Sequence, residues 1–587
     1  MNILGINIGS HDTSAAVIIN GRLICAAEEE RFNKKKHTKD FPYNAIKECL
    51  RISKINIKKI NIIAVSTEPL REIKNFWLRN AIKYDERINV LFSEDLDSVK
   101  YYCNFEKIIR ETLGYKNKIK YFRHHLNHLA SSYYPSNFKK SLVVSYDGMG
   151  EGETAYFAIG HGKKIKIINK ENLFPDSLGL IYAAITHFLG WKYNYDEGIV
   201  MGLAPYGKPF DKILNSKRTY IDVFREIIKT DKKLKIKIDT SWISYHIQRN
   251  TWVSEKFIKV FGKKRKPNAA IYQNHKNIAA ALQLRLEEVV LQQLKFLKKK
   301  YKINKLCLSG GVALNCSLNG KIHKTKLFND IFIQPASGDA GLALGAAINA
   351  SLQFDKKRHL KIEEKVYLGS RFSDGEVLRS IKKYNSKVKI IKKNIYEFTS
   401  DALINGNIVA WFQGAAEYGP RALGNRSILS LPRPFAVKKY INDNVKFRET
   451  FRPFAPAVLS EEVKNYFHIN QSSPFMLIAT QAKKEKVKDF SATVHIDNTC
   501  RVQTVSMKSN QKFYNLILKI FKKTGVPILL NTSFNVKGQP IVNTPEDALD
   551  CFLKYNINYL VIGKYVLEKK NNYKNSFKKN YKLNFIK

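Results

Sequence analysis

The sequence predicts an α/β protein of two domains, the first built from a duplicated lobe. A strand, glycine turn and strand over residues 2–19 recur in the same grammar over 141–157, and strands alternate with helices through 305–347. A polar stretch near 352–370 separates this region from a second alternation of helix and strand, which divides the chain into 1–355, 366–570 and a Lys-rich tail, 571–587. At 587 residues the chain exceeds what one hydrophobic core supports.

In the first repeat, an apolar strand from Asn2 runs into Gly9-Ser-His11-Asp12, a second strand follows, and Asn20-Gly21 makes a tight hairpin into a third. Residues 42–60 and 70–115 read mainly as helices, and 60–66 as a buried strand. In the second repeat, the strand from Ser141 ends in Asp147-Gly148 before the next strand begins, so Asp12 and Asp147 are expected on equivalent turns facing one cleft. That is the internal duplication of the actin-like fold, whose lobes present backbone amides to phosphate from such turns. Residues 178–190 read as helix, 198–207 as a loop punctuated by Gly and Pro, and 268–300 as a core helix carrying Ile278, Leu282, Leu286, Val290, Leu294 and Leu297. A strand at 305–309 delivers Gly310-Gly311, where backbone can approach a ligand closely; another at 330–334 leads to Asp339 in a strand-to-helix turn.

Chemistry enters at His124 and His128. Four residues apart on a helix, they project from one face about 6 Å apart along the axis, near enough for two imidazoles to grip one cation. No glutamate follows the first histidine, so this is not the zinc-peptidase pattern. Joined by Asp147 and Asp339, the pair would form a two-histidine, two-carboxylate site suited to iron, manganese or zinc. In the second domain a buried strand from Ile408 feeds a Gly-rich loop with Arg421 and Arg426. Lys446, Arg448, Arg452 and Arg501 add cations among Phe, Pro and Gly, and a loop following a strand carries Asn531, Ser533 and Asn535. That context favours an anion pocket over a solvated face.

Composition narrows the partners. A formal charge of +49 would suit nucleic acid, yet the lysines run the whole length beside abundant Ile and Asn, which marks a composition bias and not a binding stripe. Seven scattered cysteines without a Cys-x-x-Cys pair fit a reducing compartment. No uncharged apolar run reaches membrane-spanning length and the N-terminus has no signal-peptide pattern, so a soluble, cytoplasmic protein with no membrane partner is expected.

From Gly5 to about residue 568 these motifs, in this order, resemble the NodU/CmcH family of O-carbamoyltransferases. The first half is similar to the metal-dependent, actin-like transferase of tRNA threonylcarbamoyladenosine synthesis. The second is similar to YrdC-like adenylate-forming proteins, through Lys446-Phe-Arg448 and Ser533-Phe-Asn535. The resemblance implies that carbamoyl phosphate and ATP, with Mg2+, give carbamoyl adenylate in the second domain. There Arg421, Lys446, Arg448, Arg452 and Arg501 would hold anions, and Asn531, Ser533 and Asn535 would orient the carbamoyl group and nucleotide. In the first domain it implies nucleotide contacts from Gly311 and Asn315, Fe2+ at His124, His128, Asp147 and Asp339, His11 as the base, and Lys36 on the acceptor. Ile199 stands where relatives commonly carry a lysine. The expected partners are a small-molecule or glycan acceptor, with a sugar hydroxyl preferred, and a second copy of the chain. A fused tRNA-modifying enzyme is the first alternative and a non-catalytic nucleotide-binding module the second.

Overall fold

The structure, a computed structural model, describes residues 1–231, 234–355 and 360–570. The expected tail, 571–587, and residues 356–359 of the polar connector lie outside the described residues. The chain packs as two units. Among the described residues, one comprises Met1–Glu29 and His37–Glu364; the other takes Glu30–Lys36 together with 365–570. The change of unit at Glu364 falls inside the polar stretch, but the seven-residue excursion at Glu30–Lys36 has no counterpart in the sequence reading.

The first unit contains two five-stranded sheets. In one, β1 (Asn2–Asn7), β2 (Ser14–Ile19), β3 (Arg22–Glu28), β4 (Ile62–Val65) and β5 (Lys118–Tyr121) are ordered β3-β2-β1-β4-β5. In the other, β6 (Lys140–Gly150), β7 (Glu153–His161), β8 (Lys164–Leu173), β9 (Lys305–Ser309) and β10 (Asp330–Ile333) are ordered β8-β7-β6-β9-β10. In each sheet the first three strands pair antiparallel and the last two add in parallel. The order and the pairing are therefore duplicated, and the fold is actin-like. The central strands β1 and β6 are buried on both faces, which is why they read as apolar runs without alternation.

The helix Leu342–Phe354 packs against β1, β2 and β4 and also against the histidine helix, His124–Tyr133. Gly345 permits that second contact: a Cβ there would come within 2.1 Å of the Asn127 carbonyl oxygen. The core helix spans Gln273–Tyr301. Residues 198–207, expected as a loop, instead form the helix Glu197–Leu203 and a 3-10 turn at Ala204–Tyr206. Burial of Ile199, Val200, Met201 and Leu203 outweighs the helix penalty of Gly198 and Gly202, and Pro205 stops the α-helix.

The second unit is built on an eight-stranded mixed sheet. Its strands are β11 (Val388–Ile391), β12 (Val409–Phe412), β13 (Arg426–Ser430), β14 (Ala455–Leu459), β15 (Gln503–Val505), β16 (Ile528–Ser533), β17 (Tyr559–Ile562) and β18 (Tyr565–Lys569). Their order is β11-β18-β17-β12-β13-β16-β14-β15. Ala410 and Phe412 enter one hydrophobic core while Val409 and Trp411 enter the other, so both faces are covered. Asn531 and Ser533, expected on a loop, are the last residues of strand β16, because Ile528 to Asn531 are buried and paired to β13 and β14. Among the described residues no helix is long and apolar enough to cross a membrane.

Candidate functional site

The histidine helix begins at His124 and is buried from there almost throughout. Its four-residue spacing brings the Nε2 atoms of His124 and His128 to 3.1 Å from each other. Asp147 enters from β6, and Asp339 from the short turn Asp339–Gly341 that starts the helix Leu342–Phe354. From His124 Nε2, Asp147 Oδ2 lies at 3.2 Å and Asp339 Oδ1 at 3.7 Å; from His128 Nε2, Asp147 Oδ1 lies at 3.8 Å and Asp339 Oδ1 at 3.7 Å. All four residues are buried, and one ligand atom from each lies within 4.8 Å of the others. Two imidazole nitrogens facing each other between two buried carboxylates are the donor set of a divalent cation, and the residues fit one.

Neighbours hold this arrangement in place. Ser10 Oγ donates to Asp339 Oδ2 at 2.8 Å, and the Gly311 amide donates to Asp147 Oδ1 at 2.7 Å. Gly150 is bare because the His124 ring fills its side-chain space: a Cβ there would lie 2.1 Å from His124 Cγ. Burial opposes charge on His124, but Asp339 and Asp147 outweigh it and raise its pKa to about 9. Burial also pushes against ionisation of Asp147, yet the hydrogen bond with His124 and the nearby imidazole of His128 hold it well below the usual carboxylate range. Behind the site, Glu151 Oε1 accepts from the amides of His124 (3.1 Å) and Glu68 (2.8 Å), and Glu72 accepts from the Glu151 amide. Burial raises Glu72 to about 7 and Glu151 to about 8. Neither glutamate stands out in the sequence, because only folding brings them behind the histidine helix.

Asp12, in the turn between β1 and β2, is not one of the four donors, and Asp147, expected on an equivalent turn, lies instead within β6, which continues to Gly150. The Asp12 carboxylate bridges two histidines, meeting His11 Nδ1 at 2.9 Å and His37 Nδ1 at 2.7 Å. Against the cost of burial, the two imidazoles hold Asp12 well below the usual carboxylate range. Burial works against a charge on His11, but Asp339, Asp12 and Asp147 together raise it to about 10. His37 lies against Tyr195, with ring centroids 4.5 Å apart. The sequence shows His37 only as the end of a lysine cluster.

Two expected nucleotide contacts are already engaged. The Gly311 amide is committed to Asp147, and Asn315 Oδ1 caps the helix Cys316–Lys324 through the Leu318 amide. The Asn315 side chain also exchanges hydrogen bonds with Gln283. Ile199 is buried in its helix. Lys36 groups with the second unit.

In the second unit Lys446 is buried. Its Nζ donates to Ser533 O (2.8 Å), Asn535 O (2.7 Å) and Asn535 Oδ1 (2.6 Å), with Ser533 Oγ at 3.2 Å. Burial, followed by the charge of Arg448, drives its pKa well below that of an ordinary lysine. Arg448 lies over the Phe454 ring and donates through Nε to Asn442 Oδ1 at 2.8 Å. Burial and then Arg452, Arg501 and Arg421 oppose its charge, and Glu449 favours it. The structure thus brings the five expected cations together. Arg501 Nε is buried without a hydrogen-bond partner, and so is Asn531 Oδ1, while Asn531 Nδ2 donates to Gln503 Oε1 at 2.8 Å. Arg426 is different: fully buried over Phe412, it donates to the carbonyls of Gln413, Gly414, Asn425 and Ser370 and serves the fold.

A buried two-histidine, two-carboxylate cluster in one unit and a cluster of guanidiniums in the other suit the transfer of an activated, anionic group, and the chain belongs to the carbamoyltransferase family. Residues 2–348 match the family described as Carbamoyltransferase N-terminus, and residues 400–569 match Carbamoyltransferase C-terminus. Among its relatives, an uncharacterized protein of Synechocystis sp. is 35% identical, with 97% of each chain covered. Nodulation protein NolNO of Sinorhizobium fredii is 34% identical over 96% of this chain and 80% of its own, and an uncharacterized protein of Methanocaldococcus jannaschii is 31% identical over 97% and 99%.

Proposed function

We propose that the protein is an ATP- and carbamoyl phosphate-dependent O-carbamoyltransferase, with activation in the second unit and transfer in the first. One observation carries the reading. Arg421, Arg452 and Arg501 all stand close enough to Arg448 to oppose its charge, with the Glu449 carboxylate favouring it, and such a gathering of guanidiniums suits a polyanion. Carbamoyl phosphate and ATP are both polyanions and repel each other, so a cationic pocket lowers the barrier chiefly by holding them together.

In that pocket water would cleave carbamoyl phosphate to carbamate and inorganic phosphate. A carbamate oxygen would then bond to the α-phosphorus of ATP as pyrophosphate leaves, giving carbamoyl adenylate, with Mg2+ on the phosphates. Arg501 Nε and Asn531 Oδ1, the buried atoms without partners, suit a phosphate oxygen and the carbamoyl N–H respectively. Lys446 holds Ser533 and Asn535 at the end of β16, where they would orient the carbamoyl group and nucleotide.

In the first unit the acceptor oxygen would attack the carbonyl carbon of carbamoyl adenylate, the carbon–oxygen bond to AMP would break, and the hydroxyl proton would pass to His11. Asp12 engages His11 Nδ1 and so leaves Nε2 as the basic atom. Two of the three carboxylates that raise His11, Asp339 and Asp147, are also cation ligands; with their charge engaged, His11 falls back toward the range of a working base. His124, His128, Asp147 and Asp339 would hold Fe2+, which when bound supplies Lewis-acid polarisation of the adenylate. The proposed acceptor is a hydroxyl of a sugar or secondary metabolite.

The test supplies the protein with ATP, Mg2+, Fe2+ and radiolabelled carbamoyl phosphate together with a panel of oligosaccharides. AMP should appear only when carbamoyl phosphate is present, and label should reach a glycan. Consumption of threonine and bicarbonate with label on tRNA would select the tRNA-modifying alternative.

A further inference from the structure

The loop between β12 and β13 carries Arg421. From Ala416 to Ser430 every residue is buried except Pro420, which is exposed, and Arg421, which is half-buried. A buried loop therefore offers one guanidinium at its tip to the cluster around Arg448. Gly419 and Gly424, at φ 118° and 104°, reverse the backbone on either side of that tip.

The same loop holds a carboxylate that the proposed reaction does not use. Glu417 is buried, and its Oε1 accepts from the amides of Leu423 at 2.7 Å, Asn425 at 2.8 Å and Arg426 at 3.2 Å. Converging N–H groups are the means by which backbone binds an anion, and here the anion belongs to the loop itself. The bonds close residues 417–426 into a ring with Arg421 near its middle. Carbonyls of the ring are held from other elements: Gly419 O by Arg31 Nη2 at 2.5 Å, Ala422 O by Asn531 Nδ2 at 3.3 Å, and Leu423 O by Gln503 Nε2 at 2.8 Å and the Tyr367 hydroxyl at 2.9 Å. Gln503 and Asn531 stand on β15 and β16, so the ring keeps register with the strand that ends in Ser533. Burial opposes the charge of the adjacent Arg426 and Glu417 favours it, which engages the carboxylate within the fold.

We propose that Glu417 is a positioning residue of the activation step: its carboxylate closes the loop and so sets where the Arg421 guanidinium meets a phosphoryl group. This rests on the function proposed above. A loop closed beforehand loses little conformational entropy when the anion arrives, and that is the advantage of a positioned arginine over a mobile one.

Two substitutions separate reach from charge. E417Q keeps an acceptor oxygen at full length and removes the charge, whereas E417D keeps the charge and withdraws it by one methylene. Calorimetry on the full chain, without acceptor, measures carbamoyl phosphate and separately ATP for wild type, both variants, R421A and E417D/R421A. R421A identifies the ligand that Arg421 meets. For that ligand E417D should bind about tenfold or more weakly, the scale of one charge-assisted hydrogen bond, and E417Q should stay within about threefold of wild type even where its melting temperature falls. With Arg421 already removed, E417D should add less than about threefold, because it acts through the missing guanidinium. An E417D protein that melts lower yet binds as wild type does, or that loses the same factor with and without Arg421, overturns the assignment and leaves the proposed function standing. So does an R421A protein that binds both ligands as wild type does. So does an E417Q protein weakened as far as E417D is expected to be, an outcome that can be read even if E417D does not fold. A wild type that binds neither ligand overturns the proposed function and this assignment with it.

Discussion

The Asp12 carboxylate meets His37 Nδ1 at 2.7 Å with one oxygen and keeps the other for His11. One partly buried anion thus orients two imidazoles, and neither ring can change tautomer without breaking its bond to Asp12.

Replacing Asp12 with Asn removes one of the three carboxylates that raise His11, so its protonation midpoint should fall from about 10 in the metal-free protein. Histidine NMR titration measures this directly. A midpoint that stays in place would show that Asp339 and Asp147 alone set it. In the loaded enzyme D12N should also lose activity by about two orders of magnitude or more, because the imidazole tautomer is no longer held.

G150A forces a Cβ to within 2.1 Å of His124 Cγ, a distance that real contacts do not reach, so the ring must leave its place. The expected result is loss of cation binding, read as metal stoichiometry after gel filtration, with destabilisation of about 1–3 kcal/mol from overpacking. Full stoichiometry in G150A would show that the helix shifts without opening the site.

Glu72 carries the clearest dependence of stability on pH. Burial raises its folded pKa to about 7, above the unfolded value near 4.5. The neutral acid is therefore favoured in the folded state; its contribution is fully present below about pH 4.5 and is lost as the pH rises through 7. E72Q cannot ionise, so in metal-free protein the stability of E72Q relative to wild type should rise across that window and level off above it. Thermal melts at a series of pH values test the trend, and a flat difference would mean that Glu72 is ionised in the folded protein throughout.

Local pattern alone specified much of this molecule. The two strand repeats, the helix-borne His124 and His128, and the turn presenting Asp339 were legible because hydrophobic period, glycine turns and the four-residue helix spacing act within a few residues of one another, whereas Asp147, expected on a turn, is held within β6 by the pairing of its neighbours. The cations Arg421, Lys446, Arg448, Arg452 and Arg501 were legible as a set from their apolar neighbours. The helix Glu197–Leu203 was not, since its two glycines outweigh its apolar residues until the core that buries them is in place. Tertiary structure alone decided the long-range pairings: Glu151 and Glu72 behind His124, His37 across from His11 on one carboxylate, and Glu30–Lys36 grouped with the second unit. Each depends on packing between elements far apart in the chain, where free energy comes from burial and charge that no local window contains.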